Sequence, residues 1–415
     1  MNEIYQTIKK DNQIKKFSLY GFLKNLKFFE PYLYIYLLQV IGLSLFQIGT
    51  LFSIREVITY LFEVPSGILA DQYGKKTELV ICFIFYILSF FFFYLGGNYF
   101  IIAIAMIFFG LGEAFRSGTH KAMIYSYLER QGWFEYKTFV YGRTRSFSLI
   151  GSSLSAFTAI FIMIKLPKME TIFLFSIIPY ILDFFLILSY PDSLNERTIS
   201  SFSIKKFFIF SLHQLKTIFS NPDLKKIILS SSLFDGIFKI LKDYIQPILK
   251  NMILVSGIYA VVKVDLDTRL KIILGIIYSV MYIFSSLVSK NVYRLNFKIK
   301  SDRLMDISFD FLSVLFIFFA LLIRFEMIIL VICLYFILYL LKDGRRPLTV
   351  SVFGDYMRKE ERATVLSVES QTRSFFVVIL APLFGFIADY FGIAFLFLAI
   401  GISLLILNRF LKVEK

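Results

Sequence analysis

The sequence has only two cysteines, Cys82 and Cys333, and both lie inside apolar runs. That number and placement exclude a disulfide framework and a cysteine-based metal module. Histidine is equally scarce, with His120 and His213 alone, so no paired-histidine metal motif can form. No glycine-rich phosphate loop and no nucleophile elbow stands in a credible context. The chain is therefore expected to be no enzyme, with no metal site and no cofactor. Proline and glycine are few, 9 and 21 of 415 residues. That scarcity suits long helices.

What the chain has instead is apolar length. Hydrophobic residues make up 57% and aromatics 19%, with 51 Phe. A soluble domain holds roughly 45–50% apolar residues. Here apolar runs follow one another with short polar breaks, and many reach the ~20 residues that span a bilayer. These runs argue against a large soluble helical protein. The net charge of +15 sits in short loops between the runs, so it reads as a membrane orientation signal and no nucleic-acid partner is expected. The N-terminus up to about Phe17 is polar and Lys-rich. No short apolar core with a small-residue cleavage site follows, so no cleaved signal peptide is expected.

Run length gives about twelve spans. Their limits are 19–43, 47–70, 77–96, 98–128, 138–164, 170–190, 224–250, 268–289, 302–323, 326–357, 361–388 and 391–411. A Lys-rich stretch separates the halves, and its segment from Phe202 to Phe219 could form an amphipathic surface helix. The expected organisation is a six-helix bundle over 1–190, a linker over 191–223 and a second bundle over 224–415. Lys9, Lys10, Lys15 and Lys16, then Lys75 and Lys76, Arg130 and Lys137, the linker, Lys290 to Arg303, and Arg409, Lys412 and Lys415 alternate with nearly uncharged loops. An even span count puts all of them on one side, so both termini should be cytoplasmic.

One stretch stands out. Gly67, Asp71, Gly74, Lys75 and Lys76 form a Gly-x-x-x-Asp-x-x-Gly turn between spans two and three, closed by two lysines. The same skeleton recurs as Gly385, Asp389 and Gly392 between spans eleven and twelve. Gly67 should let two helices approach closely, and Gly74 should permit the tight turn. Asp71 should end span two at the interface, where its carboxylate could meet the N-terminus of another helix.

On these residues the chain resembles the major facilitator superfamily. Residues 67–76 are similar to that family's loop between its second and third helices, with Gln72 standing where a basic residue is usual. The resemblance implies an all-α polytopic membrane protein with twelve transmembrane helices in two six-helix bundles. It also implies that Asp71 latches onto span eleven near Glu361, Arg362 and Ala363. The copy at Asp389 falls on the opposite side, as inverted three-helix repeats require. The stretch from Arg116 through His120 and Lys121 to Tyr125 resembles the fourth helix of bacterial permeases of mostly unassigned substrate. The Gly-Pro signature of drug–proton antiporters is replaced by Gly151-Ser-Ser-Leu-Ser155.

Ionisable residues at membrane depth are expensive and usually face the bundle interior. Helical spacing groups them into stripes: Arg55, Glu56, Glu63 and Ser66 in span two; Glu113, Arg116, Ser117 and His120 in span four; Arg145, Ser148, Ser152 and Ser155 in span five. Span seven carries Asp235, Lys239, Lys242, Asp243 and Gln246. Span ten carries Tyr339, Lys342, Asp343 and Arg346. Span eleven carries Glu369 and Arg373, while Glu30 and Asp183 stand in spans one and six. Two readings stay open: these groups line a cavity that binds a charged substrate, or they are internal salt bridges. Glu113 with Arg116, Lys239 with Asp243, and Glu369 with Arg373 are spaced to pair within one helix. Proton coupling would fall to Glu30, Glu63 or Glu113, or to His120 as a group titrating near neutrality. His213 should be a surface residue.

The expectation is a secondary transporter in the bacterial plasma membrane, monomeric, moving a small charged or zwitterionic solute by alternating access, with protons as a coupling ion. Its partners would be the lipid bilayer and a small-molecule substrate. Drug or toxin efflux is the alternative. A membrane-embedded enzyme or a receptor on the same scaffold is the third, with Asp265 and Asp267 in the Asn251–Leu270 loop as its only host.

Overall fold

The computed structural model describes residues 2–195, 221–255, 265–291, 301–356 and 362–412. The segment 202–219, His213 and most of the linker lie outside them. All regular structure among the described residues is helical. The polar N-terminus forms α1 (Asn2–Lys10) and α2 (Asn12–Lys24). Asp11 separates them by accepting the Ile14 amide at 2.8 Å as the N-cap of α2.

The first span is not one helix from 19 to 43. It starts earlier, as α2, and is interrupted after Lys24. It resumes as a 3-10 turn over Glu30–Tyr32, a short turn Leu33–Ile35 and a π turn Tyr36–Val40. Pro31 supplies the reason. It has no amide to give to Lys27, four residues earlier, so the helix cannot run through. Glu30 donates to the Lys27 carbonyl instead, at 3.1 Å.

The next helices follow the expected order: α3 (Leu45–Tyr73), α4 (Lys75–Leu95), α5 (Tyr99–Arg116), α6 (Thr119–Arg130), α7 (Lys137–Lys165) and α8 (Thr171–Leu188). Span four is divided between α5 and α6 at Ser117 and Gly118, the latter at φ +77°. Then come α9 (Pro222–Leu241), α10 (Ile245–Val255), α11 (Leu266–Asn291), α12 (Ser301–Arg324), α13 (Ile328–Tyr356), α14 (Arg362–Phe391) and α15 (Ile393–Leu411). Span seven is thus also broken, at Lys242–Tyr244. Pro247 stands four residues after Asp243, and Gln246 donates to the Asp243 carbonyl at 3.1 Å.

Nine segments among the described residues are long and apolar enough to cross a membrane. Of the twelve expected spans, the first falls short of that measure because it is interrupted, and the seventh because Lys225, Lys226, Asp235 and Lys239 lie within its 20-residue helix α9. The tenth falls short because Lys342, Asp343 and Arg345 follow its apolar half closely. Rows of Phe and Leu stay exposed along the helices, among them Phe157, Phe161, Phe185 and Phe375. So much uncovered apolar surface is what a bilayer would cover.

The chain divides into two compact units. The first gathers Met1–Ile41, Ile54–Ser201 and Lys271–Ile283; the second gathers Gly42–Ser53, Phe202–Leu270 and Phe284–Lys415. In the first, α4 packs on α5 and α8, and α2 packs on α7. An aromatic core fills the space between them. Phe93 stacks on Phe173 at 4.9 Å, Phe90 meets Tyr180 at 4.8 Å and Tyr86 meets Phe109 at 5.3 Å between ring centroids. In the second, α12 packs on α13 and α15, and α9 packs on α14.

Candidate functional site

The first unit holds a polar network inside its aromatic core. Arg116 donates to one Glu113 carboxylate oxygen at 2.6 Å, and Tyr86 Oη donates to the other at 2.6 Å. Arg116 Nε also reaches Tyr86 Oη at 3.3 Å. The i, i+3 spacing on α5 creates the ion pair, and α4 delivers the tyrosine. Glu113 lies within electrostatic range of Lys24 and Lys27 as well. These lysines flank the break in span one. The break itself is fastened: Tyr180 Oη donates to the Lys24 carbonyl at 2.9 Å, and Asn25 donates to the Gly21 carbonyl at 2.6 Å.

His120 is a packed ring. It stacks on Tyr20 at 3.6 Å between centroids and meets Tyr190 Oη at 3.3 Å. Asp183 is fully buried, and neither of its oxygens has a hydrogen-bond partner among the described residues. Buried Tyr20 Oη is in the same position.

Most of the span-two stripe joins helices together. Thr59 donates to the Gly110 carbonyl at 3.1 Å and Ser66 to the Ala114 carbonyl at 3.1 Å. Glu63 accepts Ser117 Oγ at 2.6 Å, and Arg55 pairs with its neighbour Glu56 at 3.1 Å. Small hydroxyls bonding across helices are the usual adhesive in apolar surroundings. Arg145 is exposed on α7, away from the network.

The second unit has its own network. Arg373 on α14 lies 3.9 Å from Asp235 of α9 and 4.0 Å from Glu369. Glu369 is 1% exposed and accepts Ser231 Oγ at 3.0 Å. Asp243 is met by its neighbour Lys242 at 3.0 Å, and Asp343 by Lys342 at 2.9 Å. Gln246 is buried. Glu30 and Lys239 also lie in polar surroundings. Sequence reading missed Arg345, which is 2% exposed, bonds Ser308 and Ser230 at 3.0 Å each, and lies 4.2 Å from the centre of the Phe234 ring. Three consecutive buried serines, Ser230 to Ser232, would have been the signal. Lys24, Lys27, Tyr86 and Glu78 were missed too. Glu78 is 1% exposed and accepts Thr119 Oγ1 at 2.6 Å.

The two acid–glycine turns differ. At the first, Gly74 adopts φ +98°, and a side chain there would strike Asn195. Asn195 accepts the Lys76 amide at 3.0 Å, and Lys76 Nζ reaches the Tyr190 carbonyl at 2.8 Å and Asp192 at 3.0 Å. Lys75 meets Ser126 at 3.3 Å. This half of the motif anchors the segment after α8. At Gly67 a methyl would meet nothing within 4 Å among the described residues. Asp71 is exposed in the last turn of α3. Its expected partner region, from Glu361, lies outside the described residues or their described side chains.

The second turn is engaged. Asp389 accepts the amides of Leu45 at 3.0 Å and Phe46 at 2.8 Å, the first two residues of α3. Ser44 accepts the Gln47 amide at 3.2 Å, and the Gln47 side chain accepts the Ser44 amide at 3.0 Å, closing a capping box. Glycines allow the approach. A Cβ on Gly385 would sit 2.2 Å from the Leu45 carbonyl oxygen, and one on Gly49 would sit 2.3 Å from that of Ala381. Ser53 donates to the Val378 carbonyl at 2.7 Å. From Leu45 to Asp71, α3 rises about 39 Å at ~1.5 Å per residue, more than the ~30 Å hydrocarbon core. The two turns therefore mark opposite ends of one membrane-length helix.

Long apolar helices, glycine-mediated crossings and charged networks among interior aromatics define a polytopic integral membrane protein of the carrier type. A family model described as Major Facilitator Superfamily matches residues 24–341, and the chain belongs to that superfamily of transporters. It is 35% identical over 91 residues to the uncharacterized MFS-type transporter YxaM of Bacillus subtilis (strain 168), a stretch that spans 22% of this chain and 23% of that relative. Its fold is similar to that of the nucleoside transporter NupG, with a TM-score of 0.75 at 13% identity over 97% of this chain and 99% of the other. It is also similar to the peptide transporter POT in complex with sulfate, with a TM-score of 0.71 at 12% identity over 96% and 93%.

Proposed function

We propose that the chain is a secondary active transporter that moves a small charged or zwitterionic solute by alternating access, with protons as the coupling ion. The observation that carries this reading is the Glu113–Arg116–Tyr86 network, with a second charged network at Asp235, Glu369 and Arg373. Charges kept at membrane depth are costly and mark substrate or ion paths. The moving parts would be the bundles 1–190 and 224–415 around the linker 191–223. The chain would act as a monomer in a bacterial inner membrane, with both termini cytoplasmic. Solutes named for the fold relatives, nucleosides and peptides, are polar organic molecules. They support a small polar organic solute and no narrower choice; its charge is argued from the networks above. No catalytic role is proposed for the Asp265–Asp267 segment.

Asp71 and Asp389 serve this reading as gates at the two ends of α3. Proton coupling is assigned to Asp183 ahead of Glu113. Glu113 already holds two partners, whereas Asp183 is buried without a donor, so water reaching it would change its surroundings most. Asp183 lies within electrostatic range of Lys24 and Tyr20 on α2, Tyr180 on α8, and Tyr190. The test begins with a thermal-stability screen of purified protein against anions, zwitterions and hydrophobic cations, since a specific binder stabilises the state it occupies. The best binder then goes into proteoliposomes under an imposed proton gradient. Asp183→Asn should keep solute exchange and lose the response to the gradient. Flux that responds equally in both proteins overturns the assignment, and absence of any solute flux overturns the transporter reading.

A further inference from the structure

The break in span one carries two lysines that form no ion pair among the described residues. Lys24 ends α2, and Lys27 sits inside the break. The nearest carboxylate network is already occupied, because Glu113 is held by Arg116 and Tyr86 at 2.6 Å each. Lys27 Nζ instead stands 5.7 Å from the centre of the Phe109 ring, and the Arg55 guanidinium carbon stands 5.8 Å from the same ring. Arg55 is matched by Glu56 at 3.1 Å. The remaining cations are Lys24, Lys27 and Arg116. Glu113 and Asp183 lie within electrostatic range of Lys24, and Glu113 also of Lys27, while Glu30 in the same break has an interaction of its own.

A cation at membrane depth without a partner is expensive, and such groups are retained where a ligand or water completes them. The site is also built to hold its shape. The Lys24 carbonyl is pinned by Tyr180, and Asn25 ties the break back to Gly21. The Phe109 ring offers an apolar floor one helical turn from Glu113. From this we infer that Lys27, over Phe109, and Lys24, within electrostatic range of Arg116, form a subsite for an oxyanion, the carboxylate or phosphate group of the transported solute. Lys27 makes the direct contact, and Arg116 stays engaged with Glu113. This rests on the transporter reading and narrows its solute to an anion or to a zwitterion held by its acidic end.

The test uses the full-length purified chain and two probes, inorganic phosphate and succinate, against sodium chloride at equal ionic strength and pH. The melting temperature of the parent protein should rise with one or both oxyanions and saturate. Lys27→Gln should weaken the apparent affinity about tenfold or more, Lys27→Arg should keep it, and Lys165→Gln at the far end of α7 should leave it unchanged. If Lys27→Gln does not fold, Lys24→Gln gives the same reading. A response to phosphate alone or succinate alone supports the subsite and says which oxyanion it fits. A rise that does not saturate, or that persists in Lys27→Gln, is a general salt effect and overturns the subsite. Stabilisation by a neutral or cationic solute with none by either oxyanion overturns the subsite and leaves the transporter reading standing. No stabilisation by any solute, together with no flux, overturns both.

Discussion

Replacing Asp389 with Asn removes the negative charge that caps α3 and one of its two amide acceptors. The carboxylate accepts Leu45 and Phe46 amides at 3.0 and 2.8 Å. A hydrogen bond to a charged group contributes about 1.5–3 kcal/mol net, and a carboxylate at a helix N-terminus adds about 0.3–1 kcal/mol. Asparagine keeps one acceptor oxygen, so the loss is about 2–4 kcal/mol. At ~1.4 kcal/mol per factor of ten, the made contact would lose ground to the broken one roughly thirty-fold or more. That cost falls only on conformations in which the α3 start meets α14, so it acts as a shift between states.

Ser53 reports the change. It is 9% exposed and bonded to the Val378 carbonyl, so Ser53→Cys places a thiol at the crossing with little change of shape. Cys333→Ser removes the exposed native thiol, and Cys82 stays buried. In detergent, maleimide should label Ser53→Cys at least tenfold faster when Asp389→Asn is added. Asp71→Asn should act in the opposite direction, slowing the labelling, if Asp71 serves as the proposed gate at the other end of α3. Equal labelling rates with and without Asp389→Asn would show that the contact is passive, and the two-gate reasoning would fail.

Other changes follow from the same geometry. Gly385→Ala places a methyl 2.2 Å from the Leu45 carbonyl oxygen, so the crossing must open. The cost is about 1–3 kcal/mol, measured as a lower melting temperature together with faster Ser53→Cys labelling. Gly74→Ala meets both φ +98° and Asn195. It should cost about 1–2 kcal/mol from the backbone alone and expose the Tyr190–Asn195 segment to protease. Arg345→Ala removes a buried guanidinium that joins Ser308 and Ser230, with an expected loss of about 1.5–3 kcal/mol in denaturant unfolding. Glu113→Gln should abolish flux while Glu113→Gln with Arg116→Gln melts higher than Glu113→Gln alone, because the double variant leaves no uncompensated charge.

The fold class was legible because hydropathy and span length depend only on composition along the chain. The Gly385–Asp389 turn was legible as a repeat, yet its partner was not. Nothing local in the sequence tells that Asp389 meets Leu45, more than three hundred residues away, although Ser44 and Gln47 do announce a helix start there. The packing role expected of Gly67 could not be read from the sequence alone, because close packing depends on which face of α3 a neighbour covers. In this structure Gly49, near the other end of the helix, makes the close approach. Glu113 with Arg116 was readable because both lie on one helix. Tyr86 and Lys27 were not, because they join the network only when α4 and the broken span pack beside α5.

Each of spans one and seven was read as one continuous run, yet each contains a proline after a glutamate or glutamine: Glu30-Pro31 and Gln246-Pro247. In both, the residue before proline donates back to a charged residue three positions earlier, Lys27 or Asp243. In both, a tyrosine from another helix reaches the carbonyls that the break leaves open. Tyr180 bonds Lys24; Tyr335 bonds Leu241 at 2.7 Å and also Lys242. Irregular backbone at membrane depth persists only where it is covered by protein or lines a cavity. Two such breaks at corresponding positions of the two halves, each bearing lysines, are the expected mark of a binding region in a repeat-built transporter. The difference between them is informative. Lys242 has Asp243 beside it at 3.0 Å, whereas Lys27 has a ring and no ion pair among the described residues. If the halves share a solute, its acidic end should therefore be sought at Lys27, and exchanging Lys27 for Gln should cost more affinity for an anion than exchanging Lys242.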